Sequence, residues 1–165
     1  MLVATHLFAW NPALWNWPTL RADVRALARR GHLDTQWNTG RTRAIEPGSR
    51  AFLVRLGVPP KGLFGSGTVM TAPVERAHWR RDKAAAGATA GYVMLRLDAL
   101  HEMPPVTFDD LARAPFAGFR WGIRQSGVRV PGALAEALEA LWAERSEAMH
   151  ARVPPRAPAP KRRLR

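Results

Sequence analysis

The sequence predicts a mixed α/β fold of the α+β kind, with about five or six strands flanked by helices. Three observations carry that expectation. Apolar runs of strand length recur at 2–10, 51–56, 63–71 and 91–97, each bounded by Pro/Gly-rich punctuation. Two further segments, 18–30 and 131–150, space their apolar residues as a helix does and have proline near the start. A chain of 165 residues is long enough to bury one core and short for two. Residues 1–150 therefore read as one domain, and 151–165 as a basic, proline-rich tail with no apolar periodicity.

Taken in order, the run 2–10 reads as a buried strand, with His6 as a core histidine satisfied by a neighbour. Asn11-Pro12 ends it, because proline removes a ladder donor. Trp15 and Trp17 lead into a helix over roughly 18–30, with Leu20, Val24 and Leu27 on one face and Arg21, Arg25 and Arg29 on the solvated other. Gly31 stands where a helix C-terminus wants it. Residues 32–37 connect to a Trp37-Asn38-Thr39-Gly40 loop. The Pro47-Gly48 turn, the run 51–56, the turn 58–62 and the run 63–71 make a β-hairpin the simplest reading. Gly65 and Gly67 inside its second strand mark a bulge or a place of close approach. A long loop then carries His78-Trp79-Arg80-Arg81 and the small residues 84–90. The run 91–97 is another strand, and Thr107 with Asp110 has capping-box spacing at a short helix. Residues 119–130 alternate as strand, turn and strand. Leu134, Leu138, Leu141, Trp142 and Met149 form the stripe of the last helix.

The net charge of +12 favours an anionic partner such as nucleic acid. Six of the 25 basic residues and none of the 13 acidic ones fall in 151–165, so 1–150 carry +6, half the excess. The absence of cysteine excludes disulfides and thiolate metal sites and suits a cytoplasmic protein. No apolar run approaches the ~18 residues of a membrane span, and the N-terminus has no signal-peptide pattern.

Residue chemistry argues against an enzyme. The five histidines are scattered, and His101-Glu102 runs into Met-Pro-Pro, so no helical zinc motif forms. No Gly-rich loop ends in Lys-Ser or Lys-Thr, and no signature marks Ser66 or Ser126 as a nucleophile. Neither a metal nor another cofactor is called for. Tryptophan is the residue in excess, with seven. Trp142 lies on a helix stripe and reads as core, and Trp15 and Trp17 read as packing. Trp10, Trp37, Trp79 and Trp121 lie instead at strand ends or in loops beside polar groups: Asn11 after Trp10, Asn38 and Thr39 after Trp37, Arg80 and Arg81 after Trp79. Indoles so placed can stack on a flat ligand, at about 1–3 kcal/mol per base.

The strand end Trp10-Asn11-Pro12, the segment Trp37-Asn38-Thr39-Gly40, the run IEPGSRAFLVRLG, the strand LFGSGTVM and Trp121…Gln125-Ser126-Gly127 together resemble an EVE domain of the PUA-like superfamily. The likeness covers roughly residues 6–145 and is to the EVE-like modules that precede HNH nuclease domains in modification-dependent restriction proteins. It implies a small β-barrel flanked by helices and kinship with YTH domains, which hold a methylated base in an aromatic cage. By this resemblance Trp37 is the cage tryptophan, Asn38 and Thr39 the polar positions after it, Asn11 a reader of the base edge, and Trp79 the second cage wall. Ser49 departs from the acidic residue usual in the family's Pro-Gly turn. No HNH segment follows the domain in this sequence, so no cutting activity is implied here, and recruitment of a separate nuclease as partner is compatible with the resemblance. The implied function is recognition of a modified nucleobase, in DNA ahead of RNA, by base flipping into a pocket of Trp10, Asn11, Trp37, Asn38, Thr39 and Trp79. Arg41, Arg43, Arg80 and Arg81 would hold the phosphates. An RNA-binding module acting on tRNA or rRNA fits the same charge and aromatics, and a small-molecule or nucleotide-processing enzyme is the remaining alternative.

Overall fold

The computed structural model describes residues 3–152. It is a mixed α+β fold of eight strands and four helices: β1 (Thr5–Trp10), α1 (Leu20–Arg30), β2 (Leu33–Gly40), β3 (Arg50–Arg55), β4 (Gly62–Val69), β5 (Val74–Ala77), α2 (Arg81–Ala85), β6 (Thr89–Leu100), β7 (Val106–Thr107), α3 (Phe108–Leu111), β8 (Val128–Val130) and α4 (Gly132–Ala151). The hydrogen-bonded order is β2-β6-β4-β3-β1-β8, with β5 beside β6 and β7 beside β4. The β3–β4 hairpin is present and antiparallel, whereas β1 pairs β3 in parallel.

Apolar residues alternate along the central strands, so both faces of the sheet are buried. On β3, Phe52 and Val54 join Leu7, Leu63, Leu138 and Trp142, a cluster closed by α4. Ala51 and Leu53 join Phe8, Trp10, Trp37 and Phe64, and Leu20, Val24 and Leu27 of α1 pack there. Helix α1 ends where its glycine predicts: Gly31 is left-handed (φ 79°) and its N–H returns to the Leu27 carbonyl. The Thr107–Asp110 capping box has both of its reciprocal bonds.

Four expectations need correction. Residues 37–40 are not a loop; they are the end of β2, paired with β6. A strand this polar escapes hydropathy because only its odd positions face the protein. Segment 119–130 is paired only over 128–130; Trp121 and Ile123 are buried by side-chain packing, not by a ladder. The long loop after Thr71 contains β5 and α2. The sheet, finally, has eight strands, six of them in an open path with β5 and β7 beside it, so no strand ladder among the described residues closes it into a barrel.

The seam between the ends of this path is bridged by side chains. Beyond Leu7, β1 has no partner on its β8 side. There the Ala9 N–H donates to Ser126 Oγ (2.9 Å), and Trp37 Nε1 on β2 donates to the Ala9 carbonyl (3.2 Å). Thr42 Oγ1 donates to the Ser126 carbonyl (2.9 Å). These bonds occupy backbone groups that a neighbouring strand would otherwise have to satisfy. The basic tail from residue 153 lies outside the described residues, and no described helix is long and apolar enough to cross a membrane.

Candidate functional site

A cavity of ≈ 650 Å³ opens at this seam, lined from four parts of the chain. The first is the turn after β1. Asn11 Oδ1 accepts from the Ala13 N–H (3.0 Å), an Asx-turn that folds the chain back. Trp10 Nε1 then donates to the Trp15 carbonyl (3.2 Å), which seats Trp15 beside the cavity. Gly57 makes room for this turn: its φ is +74°, and a Cβ there would collide with the Asn11 carboxamide.

The second part is the end of β2, supplying Gln36, Trp37, Asn38 and Gly40. Asn38 Oδ1 accepts from the Gly40 N–H (2.5 Å), and the β2–β6 register slips between these residues. Gly40 takes φ +57° at the slip, a conformation glycine adopts without strain. In both asparagines Oδ1 is turned to the protein's own backbone. The Nδ2 end, a double donor, remains for a ligand acceptor.

The third part is His78 and Trp79, stacked at 5.6 Å, with Tyr92 of β6 beneath. Tyr92 Oη donates to the Ala77 carbonyl (2.9 Å), and burial pushes its phenol above the usual value. The fourth is Ile123, Arg124, Gln125 and Ser126. This segment has no strand partner up to Gly127, yet Trp121 Nε1 donates to the Phe116 carbonyl (3.0 Å) and the Gly127 N–H to Leu7 (2.7 Å).

The site thus brings together Asn11, Trp37, Asn38 and Trp79, four of the six residues expected to bind a base. Trp10 and Thr39 are not in the lining. Trp10 is buried at the centre of an aromatic cluster, edge-to-face with Trp15 and Trp17 and tilted against Phe64. Thr39 is fully buried and donates to the Thr42 carbonyl (3.1 Å), shaping the bend after β2. Trp37 itself is only 5 % exposed, so its ring is a wall built into the core and not a free-standing plate. Trp79, at 43 %, is the open indole. The four arginines lie outside the lining as well, although each is on the surface and two directly follow lining residues: Arg41 comes after Gly40 and Arg80 after Trp79. Arg43 Nη1 holds the Gly40 carbonyl (2.8 Å), and Arg80 pairs Asp82 (2.8 Å), whose carboxyl it holds below the usual range. Arg81 begins α2.

Sequence reading missed Trp15, Tyr92 and Arg124, and it noted Gln125 and Ser126 without giving them a role. Trp15 reads as packing because it stands before a helix; only the turn at Asn11 swings it to the seam. Tyr92 lies in the middle of a strand and carries no local signal.

No family model matches this sequence, and no curated protein matches it. Solved structures do share its fold. A crystal structure of a protein from Pseudomonas syringae superposes with TM-score 0.58 at 17% identity, covering 84% of this chain and 99% of that one. A hypothetical protein from Leishmania major gives 0.56 at 12% identity, covering 87% and 98%. An NMR structure from Rhodopseudomonas palustris gives 0.54 at 19% identity, covering 89% and 95%. At such identities what is shared is the fold.

Proposed function

We propose that this chain is a non-catalytic nucleic-acid-binding module that reads a modified nucleobase in DNA, taking the flipped base into the seam cavity. The carrying observation is that Asn11, Trp37, Asn38 and Trp79, far apart in sequence, line one cavity of ≈ 650 Å³. That volume lies within the about 300–1,000 Å³ of small-ligand pockets. Its lining also suits a base: ring faces for stacking, the Nδ2 donors of Asn11 and Asn38, and the carboxamides of Gln36 and Gln125, which can both donate and accept at a base edge. Unstacking a nucleotide costs a few kcal/mol, and one or two base–indole contacts of about 1–3 kcal/mol each offset it.

In this reading Arg41 and Arg80, next to the lining, hold phosphates flanking the flipped base, and Arg43 and Arg81 extend the basic rim. The PUA-like assignment belongs to the same proposal. Its support is that the ends of the open strand path are tied by Trp37 Nε1 to Ala9 and by Thr42 to Ser126, so the curled sheet lacks only a ladder at the seam. The deciding experiment is a binding titration at fixed salt over DNA and RNA oligonucleotides carrying different modified bases. Selective binding of one modified DNA base is expected. Equal affinity for modified and unmodified DNA overturns base reading, and dependence on the 2′-OH moves the function to RNA.

A further inference from the structure

We infer that the cavity selects an uncharged modified base over a cationic one, and that Arg124 is the residue that sets this selectivity. The inference rests on the base-reading function proposed above. Its ground is the charge of the lining. None of the cavity residues is an Asp or Glu, and Arg124 is the guanidinium among them. Among the described residues no carboxylate pairs with Arg124, so its charge is not cancelled locally. Arg41 stands next to the lining and adds field of the same sign.

The two asparagines agree with that sign. Asn11 and Asn38 have each turned Oδ1 to backbone N–H groups, which leaves donors, not acceptors, toward a ligand. Donors suit the ring nitrogens and carbonyl oxygens of a neutral base. Indole faces by themselves would attract a cation, and Trp15 and Trp37 meet here at 70° and 5.9 Å, two walls of a corner. A cation that leaves water needs a compensating anion as well as a ring face, however. The cavity that holds this corner has a guanidinium in its lining and no anion. A neutral base stacks on the same walls without that conflict.

The backbone that carries Arg124 is also anchored. The residue is exposed, but the buried neighbours Ile123 and Ser126 anchor its backbone on either side, and Ser126 Oγ is fixed by the Ala9 N–H.

The test uses two pairs of single-base probes in otherwise identical DNA oligonucleotides at low salt: N6-methyladenine against N1-methyladenine, and 5-methylcytosine against 3-methylcytosine. The first member of each pair is neutral and the second cationic at neutral pH. At least one neutral member should bind about tenfold or more tighter than its cationic partner, and added salt should shrink that gap. Arg124→Gln should close the gap to within about threefold, the cationic probe gaining relative to the neutral one, and Arg124→Glu should invert it. Melting curves of both variants are expected to match the wild type. Wild-type protein that binds the cationic member as tightly as the neutral one, or better, overturns the inference and leaves base reading intact. An Arg124→Gln protein that weakens modified and unmodified DNA by equal factors makes Arg124 a phosphate contact and likewise overturns it. Failure to distinguish any modified base from unmodified DNA sinks the base-reading function, and the inference with it.

Discussion

Two tryptophans on the same cavity have opposite relations to stability. Trp37 is buried, bonded through Nε1 to Ala9, and edge-on to Trp15 and Trp17. Removing it opens a core cavity, so Trp37→Ala should cost about 3–5 kcal/mol and lower the melting temperature sharply. Trp79 has little to lose on the protein side. Trp79→Ala should leave melting nearly unchanged while removing about 1–3 kcal/mol of binding to the modified base. Its effect on unmodified duplex should be small, because phosphate contacts dominate there. A Trp79→Ala protein with unaltered specificity would take Trp79 out of the site.

His101 supports a pH prediction. Its Nε2 lies 2.7 Å from Ser146 Oγ, and its ring is 4.9 Å from that of His150. Burial, and then the charge of His150, lower its pKa from 6.5 to about 4. The unfolded chain therefore binds a proton that the fold refuses between those two values. Stability is full above pH 6.5 and is lost as pH falls toward about 4. His6, lowered mainly by burial, acts in the same direction. Melting temperatures across this window should fall with acid, and less steeply in His101→Gln. Equal slopes for the two proteins would remove His101 as a source.

Among the elements, β4 is the most constrained. At Gly67 a Cβ would collide with the Arg96 carbonyl oxygen and come within 2.8 Å of the Leu97 Cα, both backbone of β6. The glycine is there for strand approach at the Ser66/Gly67 register shift, not for a ligand. Gly67→Val should abolish folding, read as loss of cooperative melting, rather than weaken binding in a folded protein. Gly118, with nothing within 4 Å of a Cβ, is the control: Gly118→Ala should melt like the wild type. A Gly67→Val protein that melts cooperatively near the wild-type temperature would show that β6 can move aside.

At the scale of the whole molecule, charge is divided between domain and tail. Residues 153–165 hold five of the cations, Arg156, Lys161, Arg162, Arg163 and Arg165, and no acid. Truncation after Arg152 should weaken binding to modified and unmodified DNA by similar factors. It should also flatten the salt dependence, by a slope of about 0.9 for each phosphate that the tail neutralises. Loss of discrimination between the two DNAs would instead make the tail part of the reader.

The sequence by itself determined the elements whose information is local. Helix α1 follows from its 3.6-residue apolar spacing and Gly31, the β3–β4 hairpin from two apolar runs about a Pro/Gly turn, and α3 from the Thr107–Asp110 box. Local rules also placed Trp10 and Asn11 at a strand end, and set Trp37 beside polar groups but in a loop. Tertiary structure alone decided what those groups face. Burial at a seam depends on which distant backbone lies opposite, and no spacing rule records that. For this reason Trp37 is a core wall bonded to Ala9, Thr39 a bend, and Trp10 the centre of an indole cluster, whereas Trp15, Tyr92 and Arg124 reach the cavity without a sequence signal. The open strand path has the same cause: two side-chain bonds, from Ser126 and Trp37, satisfy the Ala9 backbone where a ladder would have continued, and a choice between side chain and strand as partner is made only when the chain has closed on itself.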